Sequence, residues 1–501
     1  MKLTRYIVLL LAGTMLTSCG EDFLNDLDST TLTPDQIAQE SAKNPDKTLS
    51  SQMKGCYTTF NTLAGVNASN INGHMSRGMG GIMMLSDVMS NDQSLALGTG
   101  DPWRFDHALD YNAAAYVRPA WPWRVFYTTI KSANDVINLV DEEQASAETK
   151  HLLGQAYAFR GISLAYLTQF YQQTYSVAKD KPGVPIYLSN KEESDYSRAT
   201  VEKDFAQAEK DLLKAIDLLD GFQRTDKQSI DKQVAQGLLS RVYLVMNRWA
   251  DAAKMAHAAR QGYPINDIYA AADWNYQDLD NGEVLWGYQP TQTTTMIFAS
   301  FASWRSTDGP GYGGGEVGAF QLMDAALYKS MPAGDVRLKL FYDKDQTITS
   351  SSGKTVSVPA LANKKFDFVA NWLGGVVYMR SSELLLNEAE GLLMSGDAAG
   401  AANVMKEYMP NRVEGWTGDG KSWTQASIYN QRRLELWGEG FGYFDCLRLK
   451  QDLVRKYEGT NETVGLQNNV PHTSYKWIYQ IPKSEIDDNE NITDEDQNPL
   501  Q

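Results

Sequence analysis

Leu239-Ser-Arg-Val-Tyr243-Leu-Val-Met-Asn247-Arg-Trp249-Ala-Asp-Ala252-Ala-Lys-Met-Ala256-His-Ala-Ala259 decides the fold. Leu239, Ser240 and Tyr243 take positions on a first helix. Asn247 turns the chain. Trp249, Ala252, Ala256 and Ala259 then recur at three- and four-residue steps on a second. Small residues on facing helices let the pair approach closely, which is the pattern of a tetratricopeptide unit. A second segment repeats it: Ala389 and Leu392, a turn at Ser395-Gly396-Asp397, then Ala401, Met405 and Tyr408. One alanine-rich hairpin is unspecific, but two in one chain predict a mostly α scaffold of stacked helical pairs.

Other stripes extend the helical reading. Val201, Phe205, Ala208, Leu212, Ile216 and Leu219 form one apolar face,. Leu153, Tyr157, Leu164, Leu167 and Tyr171 form another, with Arg160 in its middle. A guanidinium there is expected to be buried and paired with a carboxylate, and Glu383, Glu390 and Glu435 are the candidates. Trp121 to Val140 and Gln36 to Leu63 also read as helices. The pattern fails in two irregular insertions, near 64–118 and 262–375. The first is rich in Gly, Met, Asn and Ser, the second in Gly, Thr and aromatics. Long loops inside a compact protein are often functional.

The N-terminus reads as an export signal over residues 1–18. Lys2 and Arg5 precede the apolar run Ile7–Leu11, and small Thr17 and Ser18 precede Cys19,. The run is shorter than the roughly 20 residues that span a bilayer. A cysteine at this point is the pattern of a bacterial lipoprotein, with Cys19 as the lipidated residue; an ordinary signal peptide with an incidental cysteine is the alternative. Residues 19–35 carry Glu21, Asp22, Asp26, Asp28 and Asp35 and read as an acidic tether,. Residues 36–501 then form one large helical domain. Attachment to the membrane would be through acyl chains rather than a spanning helix.

The net charge of −16 becomes −18 when Lys2 and Arg5 are removed with the signal. That argues against nucleic acid as a partner. Cys56 and Cys446 lack metal-type spacing and read as buried fillers,. The five histidines are scattered, so no metal or cofactor is expected. No catalytic motif stands out. Gly313-Gly314-Gly315-Glu316-Val317-Gly318 fits G-x-G-x-x-G, but no apolar strand precedes it, so it reads as a mobile loop before a helix over Phe320–Tyr328,. Two carboxylate pairs, Glu435 with Glu439 and Glu383 with Glu390, have the residue types a glycosidase uses. Each lies near arginines on an amphipathic helix, where structural ion pairing is the simpler reading.

The same helices carry a resemblance. Arg380-Ser-Ser-Glu383-Leu-Leu-Leu386-Asn-Glu-Ala389-Glu390 resembles the R-x-x-E-x-x-L-x-x-A-E motif of the SusD/RagB family of Bacteroidetes outer-membrane lipoproteins. Gln431-Arg432-Arg433-Leu434-Glu435 through Phe444-Asp445 resembles its E-R-R-x-E-L block, with Gln431 in place of the first Glu. Ile481-Pro482-Lys483-Ser484-Glu485-Ile486 is similar to its C-terminal I-P-x-x-E-I. Asp335-Val336-Arg337, Lys181-Pro182-Gly183-Val184-Pro185 and the start Cys19-Gly20-Glu21-Asp22 also match. The resemblance implies a tetratricopeptide-like scaffold with an irregular, loop-rich, ligand-facing half. It implies a non-enzymatic, lipid-anchored protein at the cell surface that caps a SusC-like TonB-dependent transporter. The cargo would be oligosaccharide or, in the RagB branch, peptide.

Sugars offer an apolar face to aromatic rings and a hydroxyl rim to polar groups. The two irregular stretches concentrate both kinds of residue. Trp103, Trp286, Tyr288 and Trp304 are therefore the candidate stacking rings, with Arg77, Asn91 and Asp92 as weaker polar candidates; for each tryptophan, burial in the core is an equal alternative. Trp121, Trp123, Trp249 and Trp437 lie in helical patterns and are assigned to core. A scaffold that binds only protein, and a hydrolase, are the other function classes.

Overall fold

Short polar residues start the long helices. Ser146 Oγ accepts from Thr149 N–H at 3.1 Å, Asp231 from Val234 at 2.9 Å and Asp397 from Gly400 at 2.8 Å. Each satisfies an amide that the first helical turn leaves without a partner. The computed structural model describes residues 45–63, 71–96, 102–189, 196–315, 317–418, 420 and 422–500. The chain divides into Met1–Ser51 and Gln52–Gln501. The signal peptide, Cys19 and the acidic tether lie outside the described residues.

Ten helices of eleven residues or more are described: α1 Pro45–Thr62, α2 Gly78–Val88, α3 Val117–Ile137, α4 Ala147–Tyr171, α5 Val201–Leu218, α6 Lys232–Val245, α7 Trp249–Ala259, α8 Ser381–Met394, α9 Ala398–Tyr408 and α10 Gln425–Glu435. From α3 to α9 each helix packs against the next. The stack steps from α7 to α8 and leaves residues 260–380 outside it, so the second irregular stretch is an insertion between two neighbouring helices of the scaffold. The hairpins read from the sequence are α6–α7 and α8–α9. Asn247 turns the first with φ 57° and Gly396 the second with φ 99°, values in the left-handed region,. The pairs are close: a Cβ on Gly391 of α8 would lie 2.6 Å from the Trp249 carbonyl oxygen of α7.

Arg160 is buried and paired, as its place in the stripe requires. Its partner is none of the three expected glutamates. Asp211 of α5 takes Nε at 2.8 Å and Nη2 at 2.7 Å, and Asn134 of α3 takes Nη1 at 3.0 Å. The three glutamates have other arginines, described below. Cys56 and Cys446 are buried free thiols. Trp121, Trp123 and Trp437 are buried and Trp249 is half-buried.

Eight short strands make four antiparallel pairs: β1 Gln93–Leu95 with β3 Gln321–Met323, β2 Val284–Tyr288 with β6 Val376–Arg380, β4 Gln346–Thr349 with β5 Thr355–Val358, and β7 Leu453–Val454 with β8 Asn469–Val470. Two local readings change. Residues 78–88, inside the first irregular stretch, form α2, because Met79, Ile82, Met83, Met84, Leu85 and Val88 all find core neighbours that outweigh the low helix preference of the glycines,. The helix expected over Phe320–Tyr328 is instead β3 followed by a short helix, Ala325–Lys329. Pairing with β1 takes the first half, and Asp324 caps the second.

Candidate functional site

The carboxylate pairs are bound up in ion pairs. Arg380 reaches Glu435 at 2.7 Å and Glu439 at 2.7 Å, and Arg412 reaches Glu435 at 2.7 Å. Glu383 takes Arg241 at 2.7 Å, and Glu390 takes both Nη atoms of Arg448. Burial alone would raise the Glu435 carboxyl, but Arg412 and Arg380 hold it well below the usual range. Arg380 and Lys365 do the same to Glu439. A carboxylate held ionised by two cations is a poor proton donor. These motif residues lock the α8–α10 block together.

The four candidate rings are core residues in this arrangement. Trp103 is 1%, Trp286 2%, Tyr288 7% and Trp304 2% exposed. Trp286 packs among Phe60, Phe159 and Tyr378, and its indole N–H donates to the Gln228 carbonyl at 2.9 Å. None of the four offers a free face to a sugar. Of the polar candidates, Asp92 is buried and paired with Arg433 at 2.6 Å. Asn91 spends its amide on the Asp452 carbonyl and the Val454 N–H, both at 2.8 Å. Arg77 is half-buried.

The structure does bring Trp103 and Trp304 together from the two irregular stretches. Their rings meet edge-to-face at 5.6 Å. Tyr312 then lies parallel on Trp304, with centroids 4.1 Å apart and planes 9° apart. Tyr312 is half-buried, and its hydroxyl meets His74 Nδ1 at 2.6 Å. The glycine-rich loop is what places it. A Cβ on Gly311 would lie 2.6 Å from the Ser303 carbonyl oxygen, and one on Gly313 2.3 Å from that of Trp304. Only glycine lets this backbone lie so close to residues 303–304. Gly313 N–H donates to the Ser303 carbonyl at 2.8 Å and Tyr312 N–H to Ser303 Oγ at 3.2 Å. Residues 311–313 thus seat Tyr312, and Gly311 and Gly313 serve close backbone approach rather than a phosphate.

Beside this column lie two strained turns. Ile297, Asn371 and Trp372 have φ of 47°, 59° and 61°. Left-handed backbone is rare for non-glycine residues, and a β-branched one there is an outlier. Each such residue costs roughly 1–3 kcal/mol, and such strain clusters at ligand clamps. Thr295 Oγ1 ties the turns by donating to the Trp372 carbonyl at 2.9 Å. The turns present Ile297, 48% exposed, and Phe298, 52% exposed, with the Phe298 and Trp372 rings 5.6 Å apart. The helix Ile71–Met75, which carries His74, packs against Ile297–Ala299. The His74–Tyr312 pair and the Phe298–Trp372 pair therefore lie on neighbouring elements of the irregular half. Phe298 and Trp372 escaped the sequence reading, and the positive φ values that mark them are not written in residue type.

A separate cleft of about 1070 Å³ is lined by Trp123, Tyr127, Tyr187 and Tyr196 with Glu485 and Asn489. Its polar ends are turned inward. Trp123 Nε1 and Tyr187 OH both donate to Glu485, at 3.1 and 3.3 Å, and Tyr127 OH donates to the Pro185 carbonyl at 2.8 Å. Glu485 belongs to the I-P-x-x-E-I segment, which here fastens the C-terminal end of the chain. Among the described residues no group of acids, histidines and cysteines is placed to hold a metal ion, and no helix is long and apolar enough to cross a membrane.

Residues 50–244 match a family model described as starch-binding, associating with the outer membrane, and residues 363–500 match the model of the SusD family. No curated protein matches the chain. Among solved structures, a SusD-like carbohydrate-binding protein from Bacteroides vulgatus superposes with a TM-score of 0.75 at 23% identity, covering 90% of this chain and 98% of that one. A SusD superfamily protein from Bacteroides thetaiotaomicron gives 0.72 at 22%, covering 91% and 99%. Surface glycan-binding protein A from the same species, in complex with laminarihexaose, gives 0.66 at 15%, covering 89% and 98%. At these identities the superpositions establish a shared fold. Two family models covering well over half of the chain between them, one fold shared along nearly its whole length, and an ion network built from the motif arginines and glutamates lead to one conclusion: the chain belongs to the SusD/RagB family.

Proposed function

We propose that this protein captures oligosaccharides at the outer-membrane surface without cleaving them, and serves as the lid of a SusC-like TonB-dependent transporter. The observation that carries the binding half is the Tyr312 platform. Two buried tryptophans back a partly open tyrosine, and strained turns hold Phe298 and Trp372 beside it. Preorganised rings bind without the entropy cost of ordering loose side chains. A solved protein of the same fold, a surface glycan-binding protein, is in complex with laminarihexaose. Glu435 and Glu439 are held ionised by their cations, and Glu383 and Glu390 are each taken up by an arginine, which supports binding without chemistry.

The lid role and the membrane address rest on family membership and on the lipoprotein signature at Cys19. The test is to incubate purified protein with a panel of soluble glycans and peptides, measuring retention by affinity electrophoresis and products by chromatography. Retention of a glycan with no new reducing ends is the expected result. Release of shorter sugars would make it a hydrolase, and retention of peptides alone would make it a RagB-like peptide lid.

A further inference from the structure

Arg77 lies between the helix Ile71–Met75 and α2, three residues from His74. Its Nε donates to the Gly73 carbonyl at 3.1 Å. Among the described residues that is its one side-chain hydrogen bond, and no carboxylate comes within ion-pair reach. Most other buried arginines hold an acid, and Arg198 and Arg455, which do not, spend their Nη groups on carbonyl oxygens instead. Arg118 has Asp106, Arg160 has Asp211, Arg305 has Asp87, Arg337 has Asp335 and Arg448 has Glu390. Acids are not scarce in a chain with 62 Asp and Glu against 46 Lys and Arg.

Taking a guanidinium partly out of water without a counter-ion is unfavourable. Burial indeed lowers the pKa of Arg77, with no neighbouring charge to offset it. The position also matters. The guanidinium is anchored on Gly73, the residue before His74, and His74 holds the Tyr312 hydroxyl. The same short helix packs against Ile297–Ala299, next to Phe298. Among the described residues, then, a half-buried guanidinium without an acid partner, and with neither Nη group hydrogen-bonded, lies three residues from His74. A planar guanidinium fork suits a carboxylate or a sulfate, taking two oxygens at once.

We propose that the glycan bound at this face is anionic, bearing a uronate carboxylate or a sulfate ester, and that Arg77 pairs with that group. The proposal rests on the glycan reading of the Tyr312 platform. It fits a division of labour in which rings hold the apolar face of the sugar and Arg77 reads its charge.

Calorimetry tests it with four probes: a galacturonate oligosaccharide, a sulfated galactan oligosaccharide, neutral laminarihexaose and an acidic peptide. One of the two anionic sugars should bind at least about tenfold more tightly than the neutral one, and which of them does so names the anion. The preference should shrink as salt rises. Arg77→Gln should weaken binding of that sugar by about tenfold or more, which is 1.4 kcal/mol, and leave any neutral binding unchanged. Arg77→Lys, which keeps the charge but not the fork, should fall between, and it carries the test if the Gln variant melts early. Neutral sugar bound as tightly as either anionic one, or anionic binding indifferent to both substitutions, would overturn the proposal while leaving glycan capture standing. Binding of the peptide alone would overturn both.

Discussion

Arg160 sits in the apolar stripe of α4, and its burial was legible there because a lone cation on a hydrophobic face must be paired. Its partner was not legible. Asp211 lies on α5, and nothing in the local pattern says which carboxylate a neighbouring helix will bring. Arg160→Met should strand Asp211 and cost roughly 3–5 kcal/mol, read as a lower urea midpoint with an unchanged slope. A loss below about 1 kcal/mol would mean the pair is dispensable. The tryptophans show a second limit. Core and sugar platform use the same aromatic residues, so for Trp103 and Trp304 residue type alone left burial and ligand contact equally open, and the structure buries both. Ile297 is a different case, since its backbone strain is invisible in sequence. Ile297→Gly should relieve it and raise stability by about 1 kcal/mol. A clear drop in melting temperature would show that the turn is not strained.

At the scale of elements, the helical pairs were legible because small residues recur where helices touch. Gly391 on α8 extends that logic. An added Cβ there would meet backbone atoms, the Trp249 carbonyl oxygen at 2.6 Å and the Ala253 nitrogen at 2.8 Å. Gly391→Ala should therefore cost roughly 1–3 kcal/mol, although alanine is the better helix former. Gly55 on α1 has nothing within 4 Å of the same position. Gly55→Ala should gain about 0.5–1 kcal/mol. Equal effects at the two sites, measured by thermal denaturation, would contradict the close α7–α8 packing. The insertion was harder to read. Its glycines signal a loop, but that the loop is seated on Ser303 and Trp304 depends on a chain crossing that no periodicity records. The matched residues 50–244 and 363–500 carry the scaffold motifs, while Phe298, Trp304 and Tyr312 fall between them. That is why the motifs name the family and leave the ligand open.

For the whole molecule, buried charges set the response to pH. Burial outweighs the arginine partners at Asp87 and Asp106 and pushes both up to about 6. Their folded pKa lies above the unfolded value, so their contribution is present at low pH and is lost as pH rises through about 6. Glu435, Glu439 and Asp445 behave oppositely. Burial would raise them, but Arg412 and Arg380, then Arg380 and Lys365, then Arg432 and Arg448 hold them low. Their contribution is present above the usual carboxylate range and is lost as pH falls below it. Melting temperature should thus peak near pH 5 and fall on both sides. A steady rise to pH 8 would mean the aspartates are ionised at no cost.

The lipid anchor proposed for Cys19 is also tested on the whole chain. Cys19→Ala should move the protein from the membrane fraction to the soluble fraction of cells, because acyl chains supply about 0.8 kcal/mol per buried CH₂. A variant that stays with the membrane when the transporter is also absent would refute the lipid anchor.

The central claim is glycan capture on the Tyr312 face, and calorimetry of wild type, Tyr312→Ala, Phe298→Ala and Tyr196→Ala against the best-binding oligosaccharide tests it most directly. Losing one stacking ring should weaken binding about tenfold, on the scale of 1–3 kcal/mol known for aromatic stacking on bases. The account predicts that loss for Tyr312→Ala and Phe298→Ala, with Tyr196→Ala, in the separate cleft, unchanged. Intact binding in the first two variants and lost binding in the third would place the sugar in the cleft and contradict it.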